Sequence, residues 1–173
     1  MERKHECFKE HVNPWFVETG SYMGDAVQAA LDFGFPNIIS IDIDESNHNQ
    51  CIERFKNHLN VNLILGDSAL CLFEAICHIE GPITFWLDAH YSGDETPRGI
   101  VKNPLLYELH QIASGRSFID TIIIDDIRLL SGTSPDRDFS FSHLNAYLRY
   151  VNIDFKITYA DGTEPGDVLI AYP

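Results

Sequence analysis

The chain has 173 residues, a length typical of a single domain, with 12 basic and 26 acidic side chains and a formal net charge of −14. This charge disfavours nucleic acid as a partner, because an acidic surface repels phosphates. A hydrophobic fraction of 45% excludes a wholly disordered chain, and the four cysteines are too scattered for a disulfide framework. The charged first ten residues do not resemble a signal peptide, and no run of about 18 apolar residues predicts a membrane helix. We therefore expect a cytoplasmic protein.

Short apolar runs alternate with segments of helical periodicity, which predicts strands separated by helices. The last two runs have only a turn between them, which is typical of an antiparallel hairpin. This order predicts an α/β fold, a Rossmann-like three-layer sandwich whose seven-stranded, mostly parallel sheet ends in the hairpin. One domain covers 1–173, with 1–14 as a short N-terminal extension. The predicted strands are 15–17, 37–41, 61–65, 83–87, 119–124, 155–159 and 168–172.

The turn after the first predicted strand contains Gly20 and Gly24, preceded by Glu18 and Thr19. Glycines let the backbone approach a ligand closely, and the helix that follows offers unpaired amides. The G-x-x-x-G spacing differs from the G-x-G-x-x-G of dinucleotide-binding proteins. Because a carboxylate before the turn disfavours a pyrophosphate, we expect a cationic or amino-bearing ligand. A tight turn without a ligand remains an alternative.

Acidic residues also follow the second and third predicted strands. Asp42 lies 22 positions after Gly20, close to the spacing at which an acidic residue binds ribose hydroxyls. In Gly66-Asp67-Ser68, either Asp67 or Ser68 caps a helix or contacts an adenine edge, and the two roles can coexist. Asp44 and Glu45 follow Asp42, and Ser46 can cap the next helix, so part of this acid cluster is expected to serve in capping.

In this order, Glu18-Thr19-Gly20 with Gly24, Asp42 and Gly66-Asp67-Ser68 resemble the class I S-adenosylmethionine (SAM)-dependent methyltransferases, over about residues 15–172. The resemblance implies SAM as cofactor, with Glu18 and the Gly20 backbone at its methionyl end. It also implies Asp42 at the ribose and Asp67 with Ser68 at the adenine. The predicted cofactor-binding residues are Glu18, Thr19, Gly20, Ser21, Gly24, Asp42, Ile43, Asp67, Ser68 and Asp88.

Three further carboxylates follow neighbouring predicted strands: Asp88 after the fourth, and Asp125 and Asp126 after the fifth. Like charges in one cleft need a proton or a cation, and oxygen ligands of this kind suit Mg²⁺. Alternatively, Asp125 or Asp126 caps the following segment or pairs with Arg128 or Arg98.

The same acids resemble those of a narrower group, the Mg²⁺-dependent sugar O-methyltransferases of the macrocin type. In that group a second aspartate, two positions after the first, acts as base, and His90 stands at that place here. The resemblance implies Mg²⁺ at Asp88, Asp125 and Asp126, with His90 and Asp88 as catalytic residues. A substrate hydroxyl bound to the metal would lose its proton to His90 and attack the sulfonium methyl. A structural role for His90 remains open.

The leading hypothesis is a SAM-dependent methyltransferase that carries out metal-assisted O-methylation of a small-molecule acceptor. The alternative is a methyltransferase fold without catalytic activity that serves as a binding or regulatory module. A nicotinamide-dependent oxidoreductase is disfavoured by the absent G-x-G-x-x-G. We expect neither a nucleic-acid nor a membrane partner, and a homo-oligomer remains open.

Overall fold

The computed structural model describes residues 3–89, 99–116, 119–130 and 140–173. Seven strands form one sheet, with β1 to β5 parallel and β7 antiparallel to both β5 and β6. Their bounds in chain order are β1 Trp15–Thr19, β2 Asn37–Asp42, β3 Val61–Leu65, β4 Ile83–Leu87, β5 Thr121–Ile124, β6 Lys156–Ala160 and β7 Val168–Tyr172. The order across the sheet is β3-β2-β1-β4-β5-β7-β6. The predicted α/β fold with a C-terminal antiparallel hairpin is confirmed.

In the described ranges, five α-helices connect these strands, as the helical periodicity predicted. They are α1 Asp25–Asp32, α2 Glu45–Phe55, α3 Ser68–Ile76, α4 Leu105–Gly115 and α5 Phe141–Val151. Two 3₁₀ helices, Arg3–Glu10 and Ile127–Leu130, were not predicted. Among the described residues, none of the helices has both the length and the apolar character needed to cross a bilayer.

Apolar side chains cover both faces of the sheet, because successive residues of a strand point to opposite sides. Val17 and Phe85 belong to the cluster that packs against α3, α4 and α5. Phe16 and Trp86 belong to the cluster on the other face, which includes residues of α1 and the buried Phe8 of the N-terminal 3₁₀ helix. The N-terminal segment is therefore part of the core and not only an extension.

Carboxylates cap two of the helices. The side chain of Asp44 accepts hydrogen bonds from the amides of Ser46 and Asn47 at 2.7 and 3.0 Å. Asp44 therefore caps α2, as expected for this acid cluster, whereas Ser46 does not. Asp67 caps α3 by accepting the amide of Ala69 at 3.0 Å. The capping role predicted for Asp67 or Ser68 therefore belongs to Asp67.

The fifth strand is shorter than predicted and begins at Thr121. Ile119 precedes it and is 64% exposed, whereas Asp120 is buried. The Asp120 carboxylate accepts the amide of Ile83, the first residue of β4, at 2.8 Å and forms an ion pair with Arg116 at 2.8 Å. Asp120 therefore connects α4 to the amino ends of two central strands.

Candidate cofactor and acceptor site

Backbone hydrogen bonds continue between neighbouring strands past their carboxyl ends. The amide of Asp88 donates to the carbonyl of Thr19 at 3.1 Å, and the amide of Asp125 donates to that of Leu87 at 3.2 Å. Because β1, β4 and β5 are adjacent and parallel, residues far apart in the chain meet at one edge of the sheet. The structure therefore brings Gly20, Asp88 and Asp125 to this edge, as the sequence predicted.

The turn after β1 requires glycine at two positions. Gly20 has a φ of +86°, and a Cβ atom there would lie 2.7 Å from the backbone oxygen of Asp88. Gly24 has a φ of +81°, and its Cβ would lie 2.5 Å from the ring of Phe55. Both positions combine a left-handed backbone with close packing, so any other residue would strain the turn. The turn is therefore held tightly against β4 and α2.

Asp42 fixes the other side of this turn. Its carboxylate accepts the amides of Tyr22 and Asp44, each at 2.7 Å, and its exposed fraction is 7%. Burial raises the pKa of Asp42, although the two amides oppose this shift. A carboxylate has about four acceptor positions, so two remain for ligand hydroxyls. The half-buried Ile43 lies beside it, between Asp42 and the cap of α2.

Glu18 lies beneath the turn and is 1% exposed. It accepts a hydrogen bond from Ser40 Oγ at 2.5 Å, and Ser40 Oγ also lies 2.5 Å from Ser21 Oγ. Burial raises the pKa of Glu18 to about 8, with Ser40 opposing the rise. Glu18 is therefore largely protonated at neutral pH and is connected through two hydroxyls to the glycine turn.

Asp67 and Ser68 lie at the start of α3, after the neighbouring strand β3. Besides capping α3, Asp67 accepts the amide of Ile100 at 2.8 Å. A Cβ atom on Gly99 would lie 2.4 Å from the same carboxylate oxygen of Asp67. The backbone of residues 99 and 100 therefore lies directly against Asp67. This contact occupies one oxygen of the carboxylate that was predicted to face adenine.

Two buried polar atoms near the end of β1 have no hydrogen-bond partner within the described part of the chain: Thr19 Oγ1 and Glu108 Oε1. Glu108 lines an open cleft together with Asp88 and Asp125. Burial raises the pKa of Glu108 to about 7, and the nearby hydroxyl of Ser68 opposes the rise. An unpartnered buried oxygen beside a cleft is a candidate contact for a polar ligand.

The sequence analysis missed Glu108, although a signal was present. Glu108 falls within the apolar stripe of α4, one residue before Leu109 and three after Leu105. All three side chains are at least 94% buried. A carboxyl group on the buried face of a helix is unusual, and it marks a position of functional interest.

Within the described part of the chain, the carboxylates predicted to bind metal lie near the cations of Lys4 and Arg128. The ammonium of Lys4, in the N-terminal 3₁₀ helix, lies 2.7 Å from Asp125 Oδ2 and 3.3 Å from Asp88 Oδ2. Asp126 forms an ion pair with Arg128, which also pairs with Asp167. Carboxylate oxygens of Asp125, Asp126 and Asp167 lie within 4.8 Å of one another.

These contacts favour ion pairing of the carboxylates over metal binding, the two alternatives given by the sequence. The pairing of Asp126 with Arg128, one of the alternatives to metal binding, is present in the structure. The ammonium of Lys4 lies where a metal bound by both Asp88 and Asp125 would be expected. The described residues therefore fit a protein ammonium at this place better than a divalent ion, and Mg²⁺ binding stays a prediction. His90, the predicted base, and Arg98 lie outside the described residues.

Lys4 and Asp167 were also missed. Asp167 is 3% exposed and immediately precedes β7, which runs opposite to β5, so the beginning of β7 reaches the edge where β5 ends. The antiparallel hairpin predicted from the sequence could have indicated this position of Asp167. For Lys4 the sequence offered none, because its position depends on how the N-terminal helix packs against the sheet.

No protein-family model matches this sequence, and no curated protein matches it significantly. Solved structures with the same fold are numerous. One of them is a Streptococcus mutans protein that is assigned as a methyltransferase and was solved with S-adenosylhomocysteine (SAH). It is 15% identical to this chain, the alignment covers 99% of this chain and 98% of that chain, and the TM-score is 0.66.

Two further structures show the range of these neighbours. A Podospora anserina methyltransferase bound to SAH is 14% identical, with 98% of this chain and 75% of that chain covered and a TM-score of 0.63. An rRNA methylase from Streptococcus thermophilus is 13% identical, with 97% and 92% covered and a TM-score of 0.59. This chain has the Rossmann-like fold of the SAM-dependent methyltransferases.

Proposed function

We propose that this chain is a SAM-dependent methyltransferase that transfers a methyl group to an oxygen of a small-molecule acceptor. The observation that carries the proposal is the meeting of the glycine turn, Asp42 and Asp88 at one edge of the sheet. This is the edge at which open α/β sheets bind their ligands. The shared fold alone would not support an activity, because one fold serves many functions.

The residues at this edge fit SAM in their chemistry. Asp42 retains acceptor capacity for the ribose hydroxyls after accepting two backbone amides. Asp88 and Asp125 provide negative charge that would attract a sulfonium. Thr19 Oγ1 and Glu108 Oε1 are buried polar atoms that a ligand group can satisfy.

The bound cofactor would supply a methyl group on a positively charged sulfur. An oxygen nucleophile can accept this methyl group, with the sulfur as the leaving group. The chain would hold the acceptor in the cleft beside Asp88 and Glu108, so that its oxygen faces the methyl group. Most of the acceleration would come from this positioning and from exclusion of water. The hydroxyl proton would pass to His90, the base predicted from the sequence.

Charge favours a small acceptor over RNA. Although the structural neighbours include rRNA methylases, this chain carries a net charge of −14, which opposes binding of a polyanion. Methylation on oxygen follows from the resemblance to sugar O-methyltransferases. Assistance by Mg²⁺ would require a divalent ion to displace the ammonium of Lys4.

Calorimetric titration tests the cofactor. We expect SAM and SAH to bind and NAD not to bind; binding of NAD instead would contradict the proposal. A panel of hydroxylated small molecules and an RNA control, assayed for SAH formation, then tests turnover. SAM binding without turnover on any acceptor would favour the binding-module alternative.

The variant Asp88→Asn tests the acceptor side of the site. We expect activity to fall about 100-fold, because the carboxylate adjoins the reacting groups, while the Kd for SAM changes only a few-fold. Asp154→Asn, at an exposed position beyond α5, is the matched control and should retain full activity. Equal activity of the two variants would remove Asp88 from the mechanism.

A further inference from the structure

We propose that Lys4 is the resident cation of the acceptor site, with its ammonium occupying the position that a divalent ion would take between Asp88 and Asp125. The wild-type protein would then bind no divalent ion there, and removal of the ammonium would open a divalent-cation site. The catalytic part of this inference rests on the proposed function, whereas the exchange of cations does not.

The geometry of the ammonium supports this assignment. Lys4 Nζ donates hydrogen bonds to Asp125 Oδ2 at 2.7 Å and to Asp88 Oδ2 at 3.3 Å. The side chain of Asp125 is completely buried, and those of Asp88 and Lys4 are 17% and 22% exposed. An ion pair at this depth is screened much less than a surface pair.

The N-terminal 3₁₀ helix fixes the position of this ammonium. Phe8 is fully buried and lies 5.1 Å from the Trp86 ring, and His5, 2% exposed, lies 5.6 Å from the same ring. Lys4 Nζ lies 5.6 Å from the centre of Trp86, within the range of a cation–π contact. Because Trp86 belongs to β4, the helix is anchored two residues before Asp88.

The charges explain why a cation is needed. Burial and Asp88 raise the pKa of Asp125 to about 6, even though Lys4 opposes the rise. Burial would lower the pKa of Lys4, but Asp88 and Asp125 raise it above its ordinary value. At neutral pH the ammonium is therefore charged, and it cannot serve as the base.

A fixed ammonium can perform part of the work of a metal. It can donate a hydrogen bond to the acceptor oxygen and lower the pKa of that hydroxyl. In the transfer, the oxygen forms a bond to the methyl carbon as the carbon–sulfur bond breaks and its electron pair stays on sulfur. The hydroxyl proton leaves to a base, and Lys4 remains protonated throughout.

Titration with Mn²⁺, followed by electron paramagnetic resonance, tests the exchange of cations without an activity assay. We expect no Mn²⁺ binding at this site in the wild type or in Lys9→Met, which changes an exposed lysine of the same helix. Lys4→Met should bind Mn²⁺ on the order of tenfold or more tightly than the wild type, because two carboxylates would lack their ammonium. The double variant Lys4→Met/Asp125→Asn should lose this binding.

Activity provides a second measurement. The wild type should retain its activity in EDTA, Lys4→Met should lose most of it, and Lys4→Arg should keep Mn²⁺ excluded. Wild-type Mn²⁺ binding that Asp125→Asn abolishes would overturn the inference, even if Lys4→Met failed to fold. Absence of Mn²⁺ binding in a folded Lys4→Met would also overturn it. Failure to bind SAM would instead contradict the proposed function and leave the Mn²⁺ result interpretable.

Discussion

The amide of Asp88 donates a hydrogen bond to the carbonyl of Thr19 at 3.1 Å, so the chain that leaves β4 lies directly beside the chain that leaves β1. This contact places Gly20 against the backbone of Asp88, with no space for a side chain. The glycine turn and the acidic edge are therefore in direct contact. A substitution in the turn should displace Asp88.

Replacement of Gly20 with alanine tests this coupling. We expect Gly20→Ala to lower the free energy of unfolding by about 2–4 kcal/mol, because the left-handed backbone and the contact with Asp88 both oppose a Cβ atom. Gly34→Ala is the matched control: Gly34 has the same φ of +86°, but a Cβ there meets no atom within 4 Å. It should cost only about 1–2 kcal/mol. Equal losses in urea unfolding would show that the close approach does not matter.

Replacement of Asp42 with asparagine tests the ribose contact. An asparagine keeps one acceptor oxygen, but its NH₂ group would face the backbone N–H of Tyr22 or Asp44, so that two donors oppose each other. The substitution also removes a negative charge. Hydrogen bonds to charged groups contribute about 1.5–3 kcal/mol, so we expect the Kd for SAM to rise about 10- to 100-fold. Calorimetry provides the measurement. Asp32→Asn, exposed at the end of α1, should leave the Kd unchanged, and a similar Kd for both variants would argue against the ribose assignment.

The buried Glu18 predicts a pH dependence of stability. Its pKa of about 8 lies above the ordinary 4.5, so between these values the native state holds a proton that the unfolded chain has released. The free energy of unfolding should therefore fall as pH rises from about 4.5 to 8, by about 5 kcal/mol at most. In Glu18→Gln this part of the decrease should be absent.

Urea unfolding of both proteins at pH 5 and pH 8 measures this effect. Comparison with Glu18→Gln isolates Glu18 from Glu108 and Asp125, whose pKa values are also raised. Glu53→Gln, at a carboxylate 73% exposed, should keep the wild-type decrease. An unchanged decrease in Glu18→Gln would mean that Glu18 ionises normally in the folded protein.

The buried pair of Arg116 and Asp120 predicts a loss of stability without loss of cofactor binding. Both side chains are 2% exposed and lie at the amino ends of the strands, opposite the candidate site. Asp120→Asn should cost about 3–5 kcal/mol, because it removes a buried negative charge that pairs with Arg116. Lys56→Met, which breaks an exposed pair with Glu53, should cost about 0–1 kcal/mol.

Thermal and urea unfolding compare the two variants, and calorimetry at a temperature where both are folded measures SAM binding. We expect the Kd for SAM to stay at the wild-type value in each. A weaker Kd in Asp120→Asn would mean that the two edges of the sheet are coupled.

The sequence was sufficient to predict the strands and helices, because each of these elements has its own local apolar pattern. The alternation of strand and helix predicted the sheet, and the strand-end positions predicted that Asp42, Asp88 and Asp125 would meet at one edge. This worked because parallel strands bring their carboxyl ends to one edge, whatever their separation in the chain.

The partners of these carboxylates could not be predicted in the same way. Lys4 reaches Asp125 across 121 positions, and this contact depends on aromatic packing between Phe8 and Trp86. Metal ligation and ion pairing use the same acidic residues, so the sequence pattern cannot distinguish them. The packing of the N-terminal helix shows that the ammonium of Lys4 lies beside Asp125 and Asp88.

The reversed direction of β7 has a consequence for how acceptor preference can vary. Asp167 reaches the acidic edge because β7 begins there, and its place depends on the pairing of Leu169 with Ile124 of β5. A one-residue slip in that pairing would turn every side chain of β7 to the opposite face and displace Asp167 from Arg128. Insertions or deletions in the connection 161–167 would thus reshape the acceptor side while the glycine turn stayed intact, so substrate range and cofactor affinity can evolve separately.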